Sequence, residues 1–201
     1  AAEVIDTYSD VAHHAVEVEG GGTRFGSGEA KIEKIELLGP SGEPTSLVNT
    51  GDAVRLRLHY RAKERITAPV FGVSIDTREG IFVWGLHGVD ACYVPTSIEP
   101  GTGHLDVNIP RLALNPGSYT ISAAIQNHDM TSVIDALQKA RRFDVLPGPG
   151  MESGGIITLG ASFSGLSPER PMRDIARRGA ADFQRLARMQ AQQADALGAE
   201  D

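Results

Sequence analysis

From residue 31 to residue 125 the apolar positions recur at every second residue, in short runs cut by Gly- and Pro-containing turns. Lys31-Ile32-Glu33-Lys34-Ile35-Glu36-Leu37 opens a strand that ends at the turn Gly39-Pro40-Ser41-Gly42. Residues 54–61 then alternate without a miss, which sets Val54, Leu56, Leu58 and Tyr60 toward a core and Arg55, Arg57, His59 and Arg61 outward. A third strand over 70–77 points Phe71, Val73 and Ile75 inward and Gly72, Ser74 and Asp76 outward; a fourth, 81–86, follows across Arg78-Glu79-Gly80. Further strands fall at 105–109, at 119–125 with Tyr119, Ile121, Ala123 and Ile125 on one face, at 143–146 and at 156–159. Short strands separated by turns, without alternating helices, predict an all-β antiparallel β-sandwich.

Two segments depart from that period. Residues 129–140 carry Val133, Ile134 and Leu137 at helical spacing behind polar N-cap candidates and predict a short helix over one end of the sandwich. Residues 164–201, rich in Ala, Arg and Gln, place Ile175, Phe183, Leu186 and Met189 roughly along one side and predict a C-terminal helical tail. Gly179 and Asp182 interrupt that stripe and argue against a long coiled coil. At the other end, residues 1–10 read as the end of a helix cut from something longer, and residues 11–28, with Gly20-Gly21-Gly22, read as linker. The expected organisation is 1–23 as the end of a preceding domain plus linker, 24–163 as the sandwich, and 164–201 as the tail.

Composition narrows the function classes. The chain has 201 residues, 41% apolar and 22% charged, with 19 Lys and Arg against 26 Asp and Glu, a formal charge of −7. That balance argues against a general nucleic-acid binder, which needs excess cations for phosphate. No apolar stretch has the length of a membrane helix. The single cysteine, Cys92, excludes an internal disulfide and points to a reducing compartment; beside Tyr93 and with no CxxC, it reads as a buried inert thiol.

Catalytic signatures are absent: no phosphate-binding loop, no G-x-S-x-G elbow, no H-E-x-x-H and no calcium loop. His13-His14 offers two ligands without fixed geometry and reads as solvated linker, so no metal or cofactor is expected. His104 reads as a loop residue, and Asn127-His128-Asp129 as the cap of the predicted helix. The outward face of the central strands is more informative. Gly72, Ser74, Ser122 and Ala124 make a small-residue floor, and Arg57, His59, Asp76 and Gln126 are polar and long enough to border it. Trp84 joins this face if Arg78-Glu79-Gly80 is a three-residue loop with Gly80 left-handed, pairing Ser74 with Trp84; a two-residue loop sends it inward, and the Gly at the third position favours the first. An indole beside imidazole, carboxylate and amide suits a sugar, whose C–H face lies on the ring while the polar groups take the hydroxyls. A solvated sheet face is the alternative reading of the same residues.

At these residues the chain resembles a known family, the C-terminal carbohydrate-binding domain of the Wzt-type ATP-binding subunit of O-antigen polysaccharide ABC transporters. The resemblance spans about residues 24–163. It rests on Arg24-Phe25-Gly26-Ser27-Gly28-Glu29-Ala30-Lys31-Ile32, Gly51-Asp52-Ala53-Val54, Pro69-Val70-Phe71-Gly72-Val73-Ser74-Ile75-Asp76-Thr77 with Gly80, and Leu114-Asn115-Pro116-Gly117-Ser118-Tyr119. Phe143-Asp144-Val145 and Gly155-Ile156-Ile157 complete it. It implies an immunoglobulin-like β-sandwich that dimerises by exchanging C-terminal strands, with residues 147–155 as the hinge, and that binds polysaccharide before export. It also implies an ATPase domain in the same polypeptide, to whose end residues 3–8 are similar, a membrane subunit as partner, and a place at the cytoplasmic face of the inner membrane. Of the site, it carries across Ser74, Asp76 and Trp84 only as positions.

The expectation is therefore a non-catalytic glycan-recognition module with Arg57, His59, Ser74, Asp76, Trp84, Ser122 and Gln126 lining the site. The competing expectation is a protein-interaction sandwich that docks a partner through its sheet face or edge. A glycoside hydrolase is disfavoured because Asp76 has no evident acidic partner on its face.

Overall fold

The computed structural model describes residues 16–18, 22–162 and 164. The expected helical tail, His13-His14 and residues 1–10 lie outside these, residue 164 apart. Among the described residues twelve strands follow in chain order: β1 (Val16–Val18), β2 (Gly22–Phe25), β3 (Ala30–Leu38), β4 (Leu47–Asn49), β5 (Val54–Ala62), β6 (Ile66–Thr67), β7 (Val70–Thr77), β8 (Phe82–His87), β9 (Ser97–Ile98), β10 (Gly101–Ile109), β11 (Gly117–Gln126) and β12 (Val133–Leu146). The larger sheet runs β1-β2-β12-β11-β7-β8, and β4 lies parallel beside the far end of β12; the smaller runs β10-β5-β3; β6 and β9 form a ribbon. All other pairings are antiparallel.

The sandwich closes because the alternating apolar residues of both sheets meet. From the smaller sheet come Ile32, Ile35, Leu37, Val54, Leu56 and Leu58; from the larger, Phe71, Val73, Ile75, Ile121, Ile125 and Phe143. β3 packs across β12 and β11. One buried charge stitches the layers: Asp135 on β12 is 2% exposed, accepts a hydrogen bond from the Ile32 backbone N–H at 2.7 Å, and lies 3.6 Å from the Arg24 guanidinium. Arg24 in turn donates to the Ile32 carbonyl, so both polar groups of that peptide position are held from the opposite sheet. Burial pushes the Asp135 carboxyl above its ordinary range, opposed by the Ile32 N–H and by Arg24.

The structure corrects several expectations. The short helix over 129–140 does not form: residues 127–132 are a turn, with Met130 N–H on the Asn127 carbonyl, and β12 starts at Val133. Pairing jumps from Gln126–Val133 to Ile125–Asp135, and from Ala123–Leu137 to Ile121–Arg141. The first inserts one residue and shifts the phase of the alternating strand between Ile134 and Leu137, so Val133, Ile134 and Leu137 imitate helical spacing; the second inserts two and leaves the phase unchanged. Asn127 and Asp129 cap this turn instead, Asp129 accepting from the Thr131 N–H at 3.1 Å. Residues 11–28, read as linker, contain β1 and β2, and β2 pairs with β12. The strand at 156–159 reduces to a single bridge, Ile157 with Leu114, flanked by Asn115 N–H to the Ile156 carbonyl and Thr158 N–H to the Ala113 carbonyl. His104 belongs to β10, not a loop, and Cys92 is exposed, projected from the 88–93 turn by its left-handed backbone (φ +52°).

Candidate functional site

The outer face of the larger sheet carries a groove of about 240 Å³. Its floor follows from register. Ser122 pairs with Ser74, Ala124 lies between Gly72 and Ala136, and Ser74 pairs with Gly85, so small side chains sit side by side across four strands. Because Phe71, Val73, Ile75, Ile121, Ala123 and Ile125 face the core, these intervening residues must face out. Two rings stand over the glycines. A β-carbon at Gly72 would come within 2.6 Å of the His87 ring, and one at Gly85 within 2.9 Å of the Phe82 ring. Glycine there lets an imidazole and a phenyl lie close to the backbone, leaving Phe82 66% exposed.

Polar groups border this floor. Ser122 Oγ accepts from the Lys139 N–H at 3.0 Å and retains its own hydrogen for donation. Gln138 Oε1 accepts from Thr23 at 3.1 Å, which leaves its amide NH₂ available. Gln126 Oε1 is buried and has no partner. Asp76 stands one register step beyond, level with Phe82 and Thr120, 3.5 Å from Ser74 Oγ.

Of the expected site residues, Ser74, Ser122 and Gln126 therefore line one groove, with Asp76 at its end. Trp84 does not stand on this face. The loop forms as anticipated: Thr77 N–H donates to the Ile81 carbonyl, Gly80 N–H donates back to the Thr77 carbonyl, and Gly80 is left-handed (φ +89°). An irregularity just beyond it, where Asp76 pairs with Phe82 but Ile75 with Trp84, inserts one residue at Val83. Trp84 thereby turns to the core side, half-buried against the interior, and Phe82 keeps the outward place.

Arg57 and His59 stand elsewhere again, on the outer face of the smaller sheet. Alternation told inward from outward but not which layer was meant. There both are engaged across strands. Arg57 makes two hydrogen bonds of 2.8 Å to the Asp106 carboxylate, and His59 Nε2 lies 2.7 Å from Glu36. Lys34, 2.5 Å away, and then His59 pull the Glu36 carboxyl down to about 2, while Arg57 holds Asp106 below its ordinary range. This face is a self-paired ionic ladder. Phe25, Phe82, His87 and Gln138 are groove residues that alternation alone did not reveal. The signal for His87 was present: it continues the Gly85 phase one step past the point where the strand was ended.

Two packed sheets, an outward groove of small and neutral polar side chains, and an aromatic ring over one end define a β-sandwich with an open groove on one face. The family model for the Wzt C-terminal domain matches residues 22–159, and the chain belongs to that family. A solved crystal structure of the C-terminal domain of Wzt is similar to it in fold, with 22% identity and a TM-score of 0.65 over 78% of this chain and 96% of that one. A Niemann-Pick type C2 protein from the Japanese carpenter ant has 11% identity and a TM-score of 0.44 over 60% of this chain and 96% of that one. The β-glucuronidase of Bacteroides uniformis has 11% identity and a TM-score of 0.39 over 54% of this chain and 14% of that one. No curated protein sequence matches the chain. Among the described residues no helix is long and apolar enough to cross a membrane.

Proposed function

We propose that the domain is a non-catalytic polysaccharide-recognition module of an O-antigen-type ABC exporter, and that the groove on the outer face of the larger sheet is where it holds the glycan. The single observation that carries this is the conjunction, in one groove, of a small-residue floor, an exposed phenyl ring, a Gln126 carbonyl oxygen without a partner and donor hydrogens on Ser122 and Gln138 not used by the bonds those groups accept. A pyranose presents one apolar C–H face and a rim of hydroxyls; the Phe82 ring takes the first, and Ser122, Gln126 and Gln138 take the second. Phe82 thus fills the role expected of Trp84, and Arg57 and His59 leave the site. Hydrolysis of a glycosidic bond needs two carboxylates flanking it, and beside Asp76 at its end the described lining residues of the groove include no Asp or Glu to act as the second, which supports holding rather than cleaving.

Membership of the Wzt family supports a module acting beside an ATPase domain and a membrane subunit, at the cytoplasmic face of the inner membrane, without nucleic acid as a partner. The homodimer fits this reading. An exchanged 156–158 segment would make on a neighbouring copy the hydrogen bonds it makes in this chain to residues 113–115, with the Gly- and Pro-containing 147–155 stretch as the connection. The test is retention of the chain on immobilised polysaccharide from the source organism. Retention that falls when Phe82 is truncated supports the groove; passage of the wild-type chain without delay overturns the glycan reading.

A further inference from the structure

The chemistry of the groove restricts which saccharide it can hold, an inference that rests on the glycan reading. The described residues lining it include no Lys, Arg, Asp or Glu; the carboxylate at its end, Asp76, repels an anion, and the one titratable lining residue, His87, already has the Asp90 carboxylate 3.9 Å away. Arg24, the cation nearest in sequence to Phe25, is turned to the core side and committed to Asp135. Lys139 stands past the end of the groove, its ammonium 3.7 Å from where a Gly80 β-carbon would lie. A carboxylated or phosphorylated sugar would lose hydration without meeting a cation, and would approach a chain of net charge −7.

Much of the lining is apolar. Ala124, Ala136, Val133 and the Phe25 and Phe82 rings offer carbon to the ligand, against a handful of neutral hydrogen-bonding groups. A hexose hydroxymethyl laid on that carbon would bury a hydroxyl without a partner, whereas a methyl group in its place gains from the burial. We propose that the groove selects an uncharged saccharide with an apolar edge, of the 6-deoxyhexose type, and discriminates against acidic sugars.

The probes are methyl glycosides: the D- and L-forms of methyl rhamnoside, so that either hand is sampled; methyl mannoside, which carries the 6-hydroxyl that rhamnose lacks; and methyl glucuronoside. Each is titrated at pH 7.5 into the full 201-residue chain, with binding followed by backbone amide NMR shifts in low and high salt. The expected result is saturable shifts at Gly72, Ser74, Gly85 and Ser122, with one rhamnoside bound roughly fourfold more tightly than the mannoside, the gain of one buried methyl. That affinity stays unchanged by salt, and the glucuronoside gives no saturable shift. Equal or tighter binding of the glucuronoside, or of the mannoside over both rhamnosides, overturns this inference while leaving the glycan reading in place. No shift in the groove with any of the sugars overturns both.

Discussion

Replacing Phe82 by Ala distinguishes a glycan seated on the exposed phenyl ring from one seated on the indole of Trp84. Phe82 is 66% exposed, with its ring over Gly85, so truncation removes little packing and should cost less than about 1 kcal/mol of stability. If a pyranose lies on the ring it covers about 50 Å² of it, which at about 25 cal/mol per Å² gives about 1.3 kcal/mol, or roughly tenfold in affinity. Trp84→Ala is the contrasting variant. Trp84 is half-buried against the core, so its loss should cost about 2 kcal/mol of stability while leaving the affinity of the folded fraction unchanged. Isothermal titration with a polysaccharide fragment, alongside urea unfolding of both variants, reads the two quantities separately. Full affinity in Phe82→Ala, or a tenfold loss in well-folded Trp84→Ala, would refute the reasoning that places the phenyl and not the indole on the ligand.

Other consequences concern the scaffold and the floor. Asp135→Ala leaves the Ile32 N–H without its acceptor and Arg24 without its counter-charge, and should destabilise the domain by about 3 kcal/mol in urea unfolding; a change under about 1 kcal/mol would show that the link between the sheets is not needed. Glu36, held at about 2 against an ordinary value of 4.5, contributes stability that is present above about pH 4.5 and lost as the pH falls toward 2, and Asp106 acts in the same direction. Asp135, pushed up, contributes the other way, its part being lost as the pH rises through its raised value. Unfolding midpoints between pH 6 and pH 2 should therefore fall less steeply in Glu36→Gln than in the wild type; parallel curves would show the ladder to be energetically idle. Gly72→Ala puts a β-carbon 2.6 Å from the His87 ring, a half-exposed side chain with solvent on its outer side, so stability should change by less than about 1 kcal/mol while glycan affinity falls. Unchanged affinity there would mean that the His87 end of the groove is not used.

What the sequence made legible was alternation, and what it hid was phase and layer. Residues 54–61 read as a strand with Leu56 and Leu58 inward, and β5 has that orientation and runs one residue further, to Ala62, because a sheet buried on one face imposes a strict period of two. The small floor was equally legible, since Gly72, Ser74, Ser122 and Ala124 fall in the outward phase of two strands that pair directly. An inserted residue at Val83 leaves no mark in residue types, yet it reverses Trp84 and brings Phe82 to the surface. A similar one-residue insertion near the start of β12 turned a strand into an apparent helix and so concealed Gln138. Arg57 and His59 were grouped with the face of Ser74 for a different reason. They do face outward, but a sandwich has two outsides, and only pairing of β5 with β3 and β10 assigns them to the far one.

The central claim is that the glycan lies on the outer face of the larger sheet and not on the ionic face of the smaller one. Retention on immobilised polysaccharide of two variants, Ser122→Trp, which fills the groove, and Arg57→Ala, which breaks the ladder, tests it most directly. The first should pass through unretarded and the second should be held like the wild type; retention of Ser122→Trp together with loss of binding in Arg57→Ala would contradict the claim.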